Sequence, residues 1–176
     1  NFDQTKSAAF DNFLVEGVEG CEIGGDGEEI EINHIHWDRI FYDPHSRNPD
    51  FSDAKYKGMV VWMDIDDAKD MYPDRDDVLD NAFNDSHSND ETYEDKPLFW
   101  VDKVRMRVRV VQIFYQKSGE WILAHYCKGG FLIDPMPSPY LDEDGKPQCN
   151  IELQAAYTDR EGNRYSVVRT LIDIQD

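Results

Sequence analysis

The chain has 176 residues, 40% of them hydrophobic, with four Trp, nine Tyr and nine Phe, and a formal net charge of −19. That much large apolar side chain excludes a disordered chain and sets one ordinary domain over residues 1–176 as the expectation. The acidity argues against tight nucleic-acid binding, which needs a basic surface to displace counterions, and no run reaches the ~20 apolar residues of a membrane span.

The first element in chain order is a helix from Phe2 to Val15, in which Phe2, Lys6, Phe10, Phe13 and Leu14 fall at near-helical spacing before Gly17 and Gly20. After a turn at Gly24 and Gly25, the run Glu29 to Asn33 alternates with period two and places Ile30 and Ile32 on one face of a strand. Tyr56 to Met63 predicts a more buried strand. Asp64 then supplies an N-cap for a short helix, with Asp66 and Asp67 at its positive end and Pro73 as its stop. A second short helix spans Arg75 to Phe83, and Asn84 to Lys96 predicts an exposed mobile loop.

The clearest strand signal begins at Lys103. Val104, Met106, Val108 and Val110 alternate there with Arg105, Arg107 and Arg109, and the strand continues to about Tyr115. Lys117-Ser118-Gly119-Glu120 is a hairpin turn into a second strand, Trp121 to Cys127. Pro135, Pro137 and Pro139 predict a stiff connector, Asn150 to Thr158 a further strand, and Asp159 to Asn163 a turn. Ser166 is placed to cap a terminal helix whose Val167, Val168, Leu171 and Ile174 share a face. The expected fold class is α+β: antiparallel strands and hairpins forming a central sheet or small barrel, flanked by N- and C-terminal helices.

Few constellations carry chemistry. His34 and His36, with Asp38, Asp43 and His45 behind them, form the densest set of metal-ligand types, but His-x-His without a third ligand at recognisable spacing reads as packing. Between Asp64 and Asp95, 13 Asp or Glu stand against Lys69 and Arg75, a net of −11. This acidic segment 64–95 reads as a solvated face, with calcium as the minor alternative, since the Asp-x-Asp-x-Asp-Gly loop is missing. Cys21, Cys127 and Cys149 are odd in number and far apart, so reduced, buried thiols are expected. No nucleophile elbow, P-loop or dinucleotide fingerprint occurs, so catalytic, cofactor and metal residues are all set at none. Arg105, Arg107 and Arg109 would project from one strand face at intervals of roughly 7 Å. On so acidic a chain their expected partners are carboxylates, on neighbouring strands or an adjoining copy, ahead of phosphate.

Three stretches together resemble the portal proteins, or head-to-tail connectors, of short-tailed bacteriophages and related prophages. SAAFDNFLVEGVEGCEI, Ser7 to Ile23, resembles the family's helix leading through a glycine turn into a strand. Ile32 to Pro73 holds the most specific segment, IHWDRIFYDPHSR followed by a D-x-SDA-x-Y step. GNRYSVVRTLIDIQD, Gly162 to Asp176, resembles the run that enters the long helix descending toward the stem, and the order of the three matches.

The resemblance implies that residues 1–176 are the wing region of such a subunit, with stem, clip and crown absent. It implies a dodecameric ring at one capsid vertex that docks terminase, touches coat or scaffold protein, carries a tail adaptor, and passes double-stranded DNA without reading its sequence. The place of action is then the virion, and the host cytoplasm during assembly. No cofactor and no catalysis follow, because ATP hydrolysis belongs to the terminase. Two rival readings are a stand-alone β-rich binding module presenting Trp37, Trp62, Trp100 or Trp121, and a metal-dependent hydrolase built near His34 and His36.

Overall fold

The computed structural model describes residues 2–25, 29–84 and 100–169. In chain order the elements are α1 (Phe2–Val15), β1 (Val18–Gly25), β2 (Ile30–Ile35), a 3-10 turn (Trp37–Arg39), β3 (Ile40–Tyr42), β4 (Tyr56–Asp64), α2 (Ile65–Met71), α3 (Asp76–Asn84) and β5 (Val101–Asp102). They continue with β6 (Arg107–Lys117), β7 (Glu120–Cys127), β8 (Gly130–Pro137), β9 (Ile151–Ala155), β10 (Tyr157–Thr158) and β11 (Arg164–Tyr165). A six-stranded sheet runs β3-β4-β6-β7-β8 with β5 also on β6, a three-stranded sheet runs β2-β1-β9, and β10 pairs with β11. All the strand pairs are antiparallel. The architecture is thus the expected α+β in its central-sheet form, not the small barrel, since no sheet among the described residues closes on itself.

Strand β6 organises the core. Val108, Val110 and Phe114 point to one face and are 0%, 2% and 0% exposed, while Arg107, Arg109, Val111, Ile113 and Tyr115 point to the other. The inner face is covered in two parts. Ala68 of α2, Tyr72 just after it, and Leu79 and Ala82 of α3 pack with Val108, Val110 and Leu132. Val18, Ile35, Ile151, Leu153 and Ala155 from the three-stranded sheet pack with Phe114, Leu123, Phe51 and Ala54. The two sheets approach closely at Gly20, where an added Cβ would meet Ile40 and Leu153 side chains at 2.6 and 2.7 Å. Between β6 and β7, Ser118 (φ 54°) and Gly119 (φ 86°) are both left-handed, the turn whose twist suits a two-residue hairpin.

The structure departs from the sequence reading in several places. The strand starts at Arg107, not Lys103: Lys103 to Met106 form a tight turn in which Val104 is 94% exposed and Met106 has φ 53°. The Asp102 carboxylate accepts the Val104 and Arg105 N–H groups at 3.0 Å each, a local Asx turn that outweighs the alternating pattern. Pro135 and Pro137 lie inside β8, which a strand at the edge of a sheet tolerates because one side of its backbone needs no donor. Asp64 stands at the N-cap of α2 but makes no side-chain cap, its carboxylate being held by Arg107. Ile30 lies on a strand as expected, yet is 81% exposed. The three cysteines are free, Cys127 and Cys149 buried and Cys21 half-buried.

The expected loop over 84–96 falls almost wholly outside the described residues. The expected terminal helix lies mostly outside the described residues; at its expected start the Ser166 hydroxyl accepts the Arg169 N–H at 3.1 Å in the manner of an N-cap.

Two substitutions test this reading in urea unfolding. Phe114→Ala removes a fully buried ring and is expected to destabilise by about 3–5 kcal/mol. Val104→Ser, which a strand beginning at Lys103 would not tolerate on its apolar face, is expected to change stability by less than about 0.5 kcal/mol because the side chain is in solvent.

Candidate assembly surfaces

The three arginines do not form one ladder. Arg107 faces Asp64 in the β4–β6 register, and its Nε donates to the carboxylate at 2.9 Å. Arg105 belongs to the turn, its guanidinium 3.5 Å from Asp102. Arg109 lies opposite Trp62 with its guanidinium 5.7 Å from the centre of the Trp100 ring, a cation–π contact. Its Nε is buried without a hydrogen-bond partner, burial lowers its pKa, and it makes no ion pair among the described residues.

Arg109 sits on the outer face of the six-stranded sheet, among Phe41, Val60, Trp62, Val111, Ile113 and Tyr126. Among the described elements, no helix or second sheet packs on this face. Two cavities of about 260 and 530 Å³ indent it, and Arg39 lines both. The four tryptophans are not gathered there. Trp62 and Trp100 share the outer face, Trp37 is exposed on the 3-10 turn, and Trp121 packs against the inner core beneath the Lys57 ammonium, 5.6 Å away.

The acidic helices occupy the opposite face of the same sheet. Lys69 pairs with Asp80 at 2.7 Å and Arg75 with Asp134. Asp66, Asp67, Asp70, Asp74, Asp76 and Asp77 are exposed and form no ion pair among the described residues.

His34 and His36 take separate partners: Asn12 of α1 lies 2.8 Å from His34 Nε2, and Asp38 lies 2.6 Å from His36 Nδ1. Burial and then the neighbouring His36 lower the pKa of His34. Among the described residues no group of three or more His, Cys, Asp or Glu is arranged to hold a metal. A cavity of about 760 Å³ between α1 and the three-stranded sheet is lined by Phe10, Phe13, Ile32 and Leu153 together with Glu19 and Cys21. Burial raises the pKa of that carboxyl and, with Glu19 and Glu152 nearby, of that thiol, so Cys21 stays protonated and is a poor nucleophile.

The IHWDRIFYDPHSR and SDA segments build a brace, a role their residue types alone did not announce. Asp53 accepts the Ser46 hydroxyl at 2.6 Å and the Arg47 and Asn48 N–H groups at 2.7 and 3.2 Å; these bonds, the serine first, bring its pKa down to about 2. At Asp43 burial opposes ionisation, but N–H bonds from His45 and Lys55 outweigh it and the pKa falls. Phe51, 0% exposed at φ 55°, is thereby pressed into the core. Arg164 lies 4.6 Å over its ring and donates to the Ser46 and Asn48 carbonyls at 3.1 Å each and to the Thr158 hydroxyl. The Asp43–Asp53 loop and the β10–β11 hairpin are thus locked together immediately before Ser166.

The family model described as phage P22-like portal protein matches residues 1–120, more than two thirds of the chain. The chain belongs to the P22-like portal protein family. A comparison with curated proteins finds no match. The match in this portal chain runs from α1 to the start of β7 and takes in the Ser7–Ile23 and Ile32–Pro73 stretches; Gly162–Asp176 lies beyond it. No helix among the described residues is long and apolar enough to cross a membrane.

Among the groups that contribute to the pH response, His125 and Asp53 have the large downward shifts. His125, hydrogen-bonded at 2.8 Å to the Tyr72 hydroxyl, has its pKa pushed down to about 4 by burial. Its folded value lies below the unfolded ~6.5, so its contribution is complete above that pH and is lost as pH falls from 6.5 toward 4. Asp53 adds a second loss as pH falls from about 4 toward 2. Melting temperatures between pH 7.5 and 3 should therefore decline in two stages. His125→Phe should flatten the first and Asp53→Asn the second, with Asp53→Asn lowering the neutral-pH midpoint by roughly 5 °C as three charge-assisted bonds are lost.

Proposed function

We propose that this chain forms the wing region of a portal subunit, one of twelve in a ring at the capsid vertex through which DNA is packaged and ejected. The ring docks terminase and the tail adaptor and meets coat or scaffold protein; its place is the virion, after assembly in the host cytoplasm. The observation that carries this reading is the family match over residues 1–120.

Three features of the molecule are in keeping with it. A net charge of −19 gives a surface that repels phosphate, suited to a protein past which DNA must slide. The Asp53–Phe51–Arg164 brace fixes the direction in which the chain leaves the sheets at Ser166, which a subunit needs if its next segment is to meet its counterparts around a common axis. The most strongly held ionisable groups have structural partners: Asp43 and Asp53 close a loop, and His125 hydrogen-bonds Tyr72 at the end of α2. None is paired with a nucleophile.

Mass photometry of the complete gene product that contains this chain is expected to give a closed dodecamer, and electron micrographs should show rings with a central channel. A product that stays monomeric at micromolar concentration would contradict the reading. The same preparation is expected to leave ATP intact without terminase; turnover abolished by chelation would favour the hydrolase instead.

A further inference from the structure

The six-stranded sheet separates two surfaces of opposite character. Its outer face joins half-buried Trp62, Trp100 and Tyr126 to a set of cations, and Phe131 beside them is 46% exposed. The carboxylates near this face are already engaged, Asp38 by His36, Asp64 by Arg107 and Asp102 by Arg105. Arg39, Lys103 and Arg109 remain without an ion pair among the described residues, on a chain with 37 acids and 18 basic residues. On the other side of the sheet, α2 and α3 expose Asp66, Asp67, Asp70, Asp76 and Asp77, and the turn between them Asp74, none in an ion pair among the described residues.

We propose that the outer sheet face around Arg109 is the docking surface for α2 and α3 of a second copy of this chain. The inference rests on the ring-subunit reading and names the contact between neighbours. Charge complementarity selects this occupant: the patch gathers Arg39, Lys103 and Arg109, none in an ion pair among the described residues, on an acidic molecule, and among the described residues the exposed aspartates on the opposite side of the sheet supply matching carboxylates from an identical subunit. Geometry makes the contact head-to-tail. Because the two surfaces lie on opposite sides of one sheet, a two-fold pairing would set cations against cations, whereas a rotation that carries one face onto the other leaves each copy with one donor and one acceptor surface and can close into a ring. The composition suits an interface centre, with Trp and Arg anchors and indentations of about 260 and 530 Å³ to receive side chains.

Charge reversal in the complete gene product tests this. Arg39→Glu with Lys103→Glu alters the outer face, and Asp66→Lys with Asp70→Lys alters α2; all four side chains are exposed or half-free of contacts, so melting temperatures should stay near wild type. Each variant alone is expected to weaken ring formation at least tenfold in the concentration needed for half assembly. An equimolar mixture should assemble like wild type, because in an alternating ring every reversed outer face meets a reversed α2 and every unaltered outer face meets an unaltered α2. Should a reversal variant misfold, Arg39→Gln with Lys103→Gln supplies the milder form, expected to weaken assembly by an intermediate amount. Undiminished assembly of folded single-surface variants, or loss that mixing does not rescue, overturns the contact while leaving the ring reading intact. A wild-type product that never forms rings sinks both. Salt-steep binding of a short DNA duplex by wild type, lost in the outer-face variant, would assign the face to phosphate and also overturn the proposal.

Discussion

The antiparallel ladder between β4 and β6, unbroken from Tyr56 opposite Tyr115 to Asp64 opposite Arg107, is the constraint on which the rest of the molecule depends. Side chains alternate across it, so fixing that register decides at once which residues enter the core and which face outward. A slip by one residue would carry Val108, Val110 and Phe114 into solvent and Arg107 and Arg109 into the space filled by α2 and α3. The outermost pair, Asp64 with Arg107, contributes little as an exposed ion pair but marks the register at the open end of the ladder.

From that ladder follow the two sides of the protein. The inner side is closed by hydrophobic burial in two blocks, the acidic helices over Val108 and Val110 and the three-stranded sheet over Phe114. Their aspartates can be so dense because the helices are held by Ala68, Tyr72, Leu79 and Ala82 underneath, and the charges stand in water where repulsion is screened. The loop between β3 and β4 is tied down differently, by carboxylates that collect backbone N–H groups and by one arginine that reaches across from the far end of the chain.

Much of this was legible in the residues because local chemistry and tertiary packing agreed. The opening helix, the buried strand before Asp64, the two short acidic helices and the Ser118-Gly119 hairpin all follow from period and turn type, and each stands within a residue or two of its expected place. Where the reading failed, either a local side-chain-to-backbone bond or a tertiary contact won over the residue pattern. Val104 and Met106 continue the alternation of β6, but the Asp102 carboxylate captures the backbone first and turns it. Pro135 reads as a breaker until β8 is seen to lie at an edge. β1 is a poor strand by composition, and it forms because β2 and β9 pair on both of its sides and Gly20 lets Ile40 and Leu153 approach. Arg164 showed no sign of its role, since nothing in the sequence tells that it will lie on Phe51. The histidine pair, by contrast, suggested a site, yet each ring takes its own ordinary partner, and of the tryptophans Trp37 and Trp121 stand apart from the face that Trp62 and Trp100 share.

A reconstruction of the assembled particle at side-chain resolution is the most direct measurement of the account. It should show a closed ring in which Trp62, Trp100 and Arg109 of each subunit are covered by α2 and α3 of its neighbour, with aspartate carboxylates within hydrogen-bond reach of Arg39 and Lys103. A ring whose neighbours meet through other surfaces, leaving that sheet face open to solvent, would contradict it.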